Sequence, residues 1–516
     1  MAGVHDGKIQ LDGVRVLPNY HGRLRMRQRL ESTGIRRALR STVAVLASAC
    51  TLGSIDFATA IELHYGADYL GEYSNNVRLT PSDEQADWIN TAEIHLEMAD
   101  SPESFAAAGR RLLSVSSRGL DLTRSSGYID EARTRLSSRA APRGFGLERT
   151  KDIEALVSAR MTYEHYVNGS FDDQLLFGVD AFSTLMIRPR WFSWTVEDRF
   201  GQAPVSRLAA TTADNRQDFN VFSTGPNFAF RFAPQHTVEL EARYGRDMFQ
   251  ASPVDSQRYS GALRWVYAGS PSTLFSLNTQ GERVDFESAD NDFDRLDIFV
   301  GLATRRSRSE FLVNVGWSQI YRDKGTLSEP IGRLEGSYLL TSGSRMGALL
   351  LAEHRDTEED LVSITTDTPR DAVGFIGPAV VADIIFTKRA EIFYEYARPF
   401  VGGRVSILAD DRDYSASDEL NERAYGGLLE IGYRPATLWE ARLAAGYTFR
   451  DLPNARRADM GLGRTDNDSE ISLRLLYRVQ RHLTVSLRAA WLDRASTDPS
   501  VEFTEIVGGL ALSYER

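Results

Sequence analysis

Apolar and polar residues alternate along most of this chain. In residues 482–491, HLTVSLRAAW, the odd positions from Leu483 to Trp491 are apolar. The even positions from His482 to Arg488 are polar. A period of two residues predicts a β-strand with two unlike faces.

The same alternation recurs in eighteen segments with little helical interruption. They are residues 156–166, 174–182, 191–200, 220–232, 237–245, 259–267, 273–286, 295–304, 310–321, 331–340, 346–354, 377–386, 391–400, 425–434, 441–450, 470–479, 483–491 and 503–514. Residues 61–73, 91–98 and 110–122 also resemble strands, and they raise the count to 20–22 if they join the same sheet. The Arg- and Ser-rich residues 124–153 fit no strand.

The links between these segments alternate in length. The short links are residues 233–236, 269–272, 305–309, 341–345 and 387–390, and the long polar links are residues 201–219, 287–294, 356–376, 401–424 and 451–468. A soluble sandwich has no reason to sort its loops in this way. The pattern therefore predicts an all-β, up-and-down antiparallel transmembrane β-barrel of about 18 strands (range 16–22), with short periplasmic turns and long extracellular loops.

The two faces of each strand agree with a membrane barrel. In residues 237–245 the apolar Val238 and Leu240 alternate with Glu239, Glu241 and Arg243. An arginine in the middle of the lipid costs about 2–4 kcal/mol, so we expect the charged faces to line the lumen. Aromatic residues collect near strand ends, where interfacial girdles belong.

The N-terminal region predicts export. Arg36, Arg37 and Arg40 precede an uncharged run over residues 41–55, and Ala58 and Ala60 form a small-x-small cleavage pattern. We interpret residues 1–60 as an extension plus a signal peptide cleaved after Ala60, with Met26 as a possible true start. A lipoprotein reading, with Cys50 as the lipidated residue, is the weaker alternative. Residues 61–153 are then N-terminal strands or a periplasmic or lumenal segment, and residues 154–516 are the barrel.

Composition argues against several other classes of protein. The net charge of −11 argues against a general nucleic-acid binder, and the single cysteine excludes an intrachain disulfide and a cysteine zinc site. A mean hydropathy of −0.32 excludes a bundle of transmembrane helices. No catalytic or nucleotide-binding motif is present, so the sequence predicts a protein that is not an enzyme, with no cofactor and no metal.

Two acidic stretches are candidate calcium loops. Asp290, Asp292 and Asp294 form one, and Asp410, Asp411 and Asp413 form the other. Calcium prefers oxygen ligands, but neither stretch fits a twelve-residue calcium loop. A solvated acidic loop at a lipopolysaccharide surface is the favoured interpretation.

Arginines mark one face of four consecutive C-terminal strands. Alternation places six of them toward the lumen: Arg434, Arg442, Arg450, Arg474, Arg478 and Arg488. Rings of basic residues produce anion-selective pores. The favoured alternative is a cross-strand ladder in which Glu430, Glu470 and Glu505 neutralise them.

The last strand carries a candidate assembly signal. Gly509, Leu512 and Tyr514 are spaced as Gly-x-x-apolar-x-aromatic, which resembles the signal that the barrel-assembly machinery recognises. An exposed strand edge can be captured through its backbone, with alternate apolar side chains filling a groove.

Hairpin patterns over about half of the mature chain resemble those of a known family. They are EYSNNVRLT at 72–80 and the longer stretches at 219–245, 256–286 and 294–321. In these the chain resembles the β-barrel porins of Gram-negative bacteria that accompany exopolysaccharide and exosortase-type (PEP-CTERM) systems. The resemblance implies an outer-membrane barrel tied to surface-polysaccharide export, with polysaccharide-export components as partners. The export signal, the strand alternation and the last strand predict a cell outer-membrane location and contact with lipid, lipopolysaccharide and the barrel-assembly machinery.

Three functions follow in order of preference. The first is a passive porin-like conduit associated with surface polysaccharide or exopolysaccharide export. The second is a non-conducting structural partner of a polysaccharide or protein-sorting machine. An outer-membrane hydrolase ranks last.

Overall fold

Twenty β-strands form one closed antiparallel sheet in the computed structural model of this chain. The structure describes residues 62–99, 153–189, 191–210, 212–251, 254–287, 291–357, 359, 380–458 and 461–516. The strands are β1 (Glu62–Ser74), β2 (Asp87–Ala99), β3 (Ile153–Tyr166), β4 (Gln174–Arg188), β5 (Phe192–Pro204), β6 (Arg216–Ala233), β7 (His236–Phe249), β8 (Ser256–Ser270), β9 (Thr273–Phe286), β10 (Phe293–Arg305), β11 (Ser309–Arg322), β12 (Gly325–Thr341), β13 (Ser344–Arg355), β14 (Ile385–Ala397), β15 (Val401–Tyr414), β16 (Glu422–Ala436), β17 (Trp439–Arg456), β18 (Leu462–Gln480), β19 (Leu483–Ser496) and β20 (Phe503–Glu515). Short 3₁₀ turns occur at Ala213–Asn215, Asp418–Leu420 and Pro499–Val501.

The sheet closes on itself. Each strand pairs with its successor, and β1 pairs with β20 from Gly66 opposite Glu515 to Ser74 opposite Val507. Closure leaves no strand edge unpaired, which removes the aggregation hazard of an open sheet. The prediction of an up-and-down antiparallel barrel is confirmed. The predicted count of about 18 strands was two too low.

Most of the short connections lie at one end of the barrel, although the two-residue β11–β12 link lies at the other end and the 53-residue β2–β3 link lies at the same end. Eight of them, from the β4–β5 link to the β18–β19 link, have two or three residues and lie at the end where β1 begins and β20 finishes. We call this the short-turn end. Connections at the opposite, long-loop end reach 29 residues between β13 and β14.

The strands β1 and β2 join the barrel wall, so residues 62–99 of the predicted N-terminal segment 61–153 belong to the barrel sheet. The predicted strand at 110–122 and the segment 124–152 lie outside the described residues. The predicted signal peptide, its cleavage residues Ala58 and Ala60, Met26 and Cys50 also lie outside them.

Three predictions around β14 and β15 were wrong. The strand predicted at 377–386 contributes only Ile385 and Phe386, and the turn predicted at 387–390 lies inside β14. The long loop predicted at 401–424 contains β15. Its charged residues suggested a loop, but inside β15 they alternate between the two faces of the wall.

The outer face of the barrel is apolar. Large hydrophobic side chains such as Leu240, Ile407 and Leu487 are exposed there, whereas their polar neighbours point inward. The C-terminal alternation places Leu487 and Trp491 outward and Arg488 inward. A soluble protein normally hides such a surface, so this belt requires a covering of similar polarity.

Aromatic side chains frame the apolar belt at both ends. Exposed examples at the short-turn end are Tyr65, Trp191, Phe232, Trp265, Tyr433, Trp439 and Tyr514, and examples at the long-loop end are Tyr73, Trp88, Tyr163, Tyr259, Trp317, Tyr425 and Tyr447. Tyr425 and Tyr433 lie eight residues apart on one strand. That spacing is about 27 Å along the strand. For a strand tilt of about 40° it is roughly 20 Å along the barrel axis, close to the apolar height of about 25 Å in outer-membrane barrels.

No helix among the described residues is long and apolar enough to cross a membrane.

Candidate functional site: a latched mouth above a charged interior

Ion pairs line the inner wall of β14 to β20. Several of the predicted arginines pair with carboxylates: Arg434 with Glu440 (2.7 Å), Arg442 with Glu430 (2.7 Å), Arg450 with Asp466 and Asp468 (3.0 Å each), and Arg488 with Glu72 (2.6 Å). Arg474 is buried on the same wall and Arg478 is half-buried near the short-turn end. The structure therefore places all six on the inner side of three neighbouring strands and the end of β16.

Three of these arginines form one row. Arg442, Arg474 and Arg488 lie directly opposite one another on β17, β18 and β19. Like charges in direct register repel, so the row needs compensation. Glu430 contacts Arg442 at one side of the row, and Glu72 contacts Arg488 at the other.

The acidic partners differ in part from those expected. Glu430 pairs as predicted from the ladder model. Glu470 and Glu505 are buried on the inner wall, where Ser74 donates its hydroxyl to Glu505. Glu72 comes from β1, more than 400 residues earlier in the chain, so local alternation could not indicate it. Whether the arginine row selects anions stays a prediction.

The connection between β5 and β6, residues 205–215, reaches the opposite wall. We call it the first mouth loop. Its Arg207 contacts the Glu422 carboxylate and the Tyr414 hydroxyl, and the side chains of Arg207 and Glu422 are each only 1% exposed. In a ring of twenty strands, the β5–β6 connection faces the β15–β16 connection. The loop therefore spans the mouth at the long-loop end.

Further contacts hold both sides of the first mouth loop. On the far wall, Arg464 donates two hydrogen bonds to the Leu208 carbonyl, both 3.2 Å long. On the near wall, Ala213 packs with Tyr166 and Phe171, and Gln174 donates to the Ala213 carbonyl.

The connection between β13 and β14, residues 356–384, is the second mouth loop. Its first residues bind arginines of the inner wall: Asp356 contacts Arg258, and Glu359 binds Arg295 through two hydrogen bonds of 2.6 and 2.8 Å. Burial opposes ionisation of Glu359, but the Arg295 guanidinium outweighs it and lowers the pKa of Glu359 to about 2. The carboxylate is therefore charged at neutral pH.

The far end of the second mouth loop packs on apolar residues. Val380 contacts a cluster that includes Ala203, Phe219 and Val254, and Ile384 contacts Val284, Phe293 and Ile320. Asp383 accepts hydrogen bonds from Ser415, Ala416 and Ser417 of the β15–β16 connection.

The described residues of both mouth loops form contacts at the long-loop end. The first mouth loop is tied to the far wall by a buried ion pair, and the described ends of the second mouth loop are held by two ion pairs and two apolar clusters. We call the buried Arg207–Glu422 contact the latch.

Sequence reasoning missed the latch because its partners are far apart in the chain. Arg207 and Glu422 are separated by 215 residues. The only local signal was an arginine within a predicted loop otherwise rich in Ala and Thr.

The predicted acidic loops have other roles. Asp410 lies on the inner face of β15 and pairs with Arg389 and Arg412. Asp411 and Asp413 lie on the outer face and pair with Lys388. The calcium-loop idea therefore does not hold for these residues, because their carboxylates point to opposite faces. Asp290 lies outside the described residues.

The candidate assembly signal lies at the closing seam. Leu512 and Tyr514 are exposed on the outer face of β20, and Tyr514 pairs with Ala67 of β1. Gly509 faces inward, opposite Arg488. This placement does not test recognition by an assembly machine.

Histidine–carboxylate pairs occur in the described part of the chain. They include His95 with Asp68, His165 with Asp173, and His354 with Glu329. Within the described residues, no serine or threonine hydroxyl is hydrogen-bonded to these three histidines, so they do not form a nucleophilic triad here.

Several solved barrels resemble this chain in fold. A mutant ferric enterobactin receptor of Pseudomonas aeruginosa (PfeA) matches with a TM-score of 0.44 and 8% identity over 89% of this chain and 81% of the receptor. The FrpB iron transporter of Neisseria meningitidis matches with a TM-score of 0.42 and 7% identity over 88% and 82% of the two chains. Pseudomonas aeruginosa OccK2 matches with a TM-score of 0.36 and 9% identity over 88% and 97%.

No family model matches the chain, and no curated protein matches it in sequence. At identities below one residue in ten, no binding residue carries over from these structures.

Proposed function

We propose that this chain is a β-barrel of a Gram-negative outer membrane and that it works as a porin-like conduit with a latched mouth. The outer-membrane location is supported by the chain's own surface: an exposed apolar belt between two aromatic girdles, around a charged interior. In this orientation the short-turn end faces the periplasm and the long-loop end faces outside.

Fractionation and gel mobility test the location. We expect the protein in the outer-membrane fraction, with a mobility on unboiled gels that differs from that of the boiled sample. Recovery from the soluble periplasm, with no mobility shift on boiling, would remove the membrane-barrel proposal.

The conduit proposal rests on the buried Arg207 contact across the mouth. The charged inner wall supplies hydrogen-bonding groups for polar solutes. Opening and closing of the mouth loops controls whether these solutes can pass. Because the sequence resembles barrels that accompany exopolysaccharide systems, saccharides and other small polar solutes are the expected cargo.

A non-conducting structural partner of a polysaccharide or sorting machine is the second candidate. The covered mouth also favours this candidate, because a barrel whose latch never opens conducts nothing and can serve only as a structural scaffold. Planar-bilayer recording of the purified protein separates the two. We expect closed periods interrupted by stable open steps. Silence at every voltage, together with a capsule or matrix defect on deletion, would support the scaffold instead.

A further inference from the structure

Three side chains able to bind a metal ion lie together on the inner wall beside the closing seam. Asp68 belongs to β1, and Glu93 and His95 belong to β2. One potential ligand atom from each lies within 4.8 Å of the others. Strand β1 is also the strand that closes the barrel against β20.

The strand register brings two carboxylates face to face. Asp68 lies directly opposite Glu93, and both are buried. Like charges directly opposite each other on a sheet are destabilising unless a positive group lies between them. His95 follows Glu93 by two residues and so shares its face. Its Nδ1 lies 3.2 Å from an Asp68 oxygen.

One oxygen in the cluster has no hydrogen-bond partner. The Asp68 side chain is 7% exposed, and its Oδ1 is buried without a donor. Buried polar atoms are normally satisfied, so an orphaned carboxylate oxygen indicates a missing cation or donor. The Glu93 carboxylate is held by the Thr162 hydroxyl at 2.8 Å and lies 3.8 Å from Arg160.

A glycine on the neighbouring strand leaves space for the His95 imidazole. Gly66 lies opposite His95, and a Cβ at Gly66 would come within 2.3 Å of His95 Nε2. Any larger residue would therefore displace the ring. The His95 side chain is 22% exposed, which leaves a path from the lumen to the cluster.

We propose that Asp68, Glu93 and His95 bind a divalent transition-metal ion of the Zn²⁺ type. An imidazole nitrogen and carboxylate oxygens are ligand types that zinc accepts, and three is the number of protein ligands in an open zinc site. Bonds of about 2.0–2.2 Å draw the ligand atoms closer by roughly an ångström, within reach of side-chain rotation. The ion would fasten β1 to β2 next to the seam. This proposal holds whether or not the barrel conducts.

The competing explanation uses no metal. A protonated His95 between the two carboxylates, with Arg160 nearby, also places positive charge in the cluster. The two explanations differ in whether added Zn²⁺ binds with defined stoichiometry and raises the unfolding temperature.

Zinc titration of the purified folded barrel, after chelator treatment, tests the proposal. We expect one Zn²⁺ per chain by calorimetry and by elemental analysis, and a higher temperature for loss of the gel-mobility shift. His95→Gln and Asp68→Asn should each weaken binding at least tenfold and abolish the temperature shift. His165→Gln is the matched control, because it changes a histidine paired with an aspartate on the exposed outer face.

Folding of each variant is checked by the same mobility shift. If one variant fails to fold, Glu93→Gln replaces it. Absence of Zn²⁺ binding by the wild-type protein would overturn the proposal. Unchanged binding in the folded variants would overturn it equally.

Discussion

Single residues at the seam and the mouth carry most of the functional interpretation. Tyr514 is the first of them. We predict that Tyr514→Ala blocks assembly, because it removes an element by which the last strand is recognised. Loss of packing alone costs only a few kcal/mol and should leave a folded barrel. The measurement is the amount of heat-modifiable protein in the outer membrane.

Tyr433→Ala is the matched control for Tyr514. It also removes an exposed aromatic at the short-turn end, but from an internal strand. We expect it to assemble. Normal amounts of folded Tyr514→Ala protein would show that the tyrosine has no recognition role.

The Glu359 carboxylate provides a pH test of the second mouth loop. Its pKa is lowered to about 2, below the usual value of about 4.3 for an unperturbed glutamate. The stabilisation from its pairing with Arg295 is therefore complete above about pH 4.3 and is lost as the pH falls toward 2.

We expect residues 356, 357 and 359 to be better protected from backbone amide exchange in the wild-type protein than in Glu359→Gln. This difference should stay constant from pH 8 to pH 5 and shrink below about pH 4. A difference that already disappears between pH 7 and pH 5 would contradict the pairing.

At the scale of elements, the sequence predicted the strands in which apolar and polar residues alternate regularly. It missed the strands in which this alternation is interrupted. Alternation located most strands because one face meets an apolar surface and the other a charged lumen. It failed at β15, where Asp410 turns inward and pairs with Arg389 and Arg412, while Asp411 and Asp413 turn outward to Lys388. Because polar residues lie on both faces near the end of β15, the alternation of apolar and polar positions is lost there.

The candidate site was predictable only where partners are neighbours in the sheet. The inward orientation of the arginines in β17 to β19, and that of Glu430, could be predicted because alternate residues of a strand point to opposite faces. The Arg207–Glu422 latch depends on the closure of twenty strands, so no local pattern indicates it. The cluster of Asp68, Glu93 and His95 was also missed, although Glu93 and His95 have the two-residue spacing of one strand face.

Strand β15 offers a test of the belt. Ile407 is exposed on its outer face between the ends of the strand, whereas Asp413 lies near the long-loop end. An arginine at the lipid midplane costs about 2–4 kcal/mol and one near the interface about 0–1 kcal/mol. We therefore expect Ile407→Arg to lower the free energy of unfolding in lipid vesicles by the larger amount.

Asp413→Arg introduces the same side chain six residues away and serves as the control. It should remain close to the wild-type stability. Equal stability of the two arginine variants would mean that β15 does not cross the apolar layer where we place it.

At the scale of the whole molecule, the closed ring and the covered mouth act together. The ring fixes the far wall at a distance that the first mouth loop can reach, and the buried ion pair holds it there. Removing one partner of a buried ion pair is expected to destabilise the closed mouth by about 3–5 kcal/mol, since the other charge is left unpaired. A change of that size shifts a closed-to-open equilibrium by about a hundredfold or more.

Single-channel recording of Arg207→Ala in planar bilayers is the most direct test of the latched conduit. The control is Arg283→Ala, which removes an exposed arginine paired with Asp285 on β9. We predict long open periods in Arg207→Ala and wild-type gating in Arg283→Ala. A folded Arg207→Ala barrel that opens no more often than the wild-type protein would contradict the account.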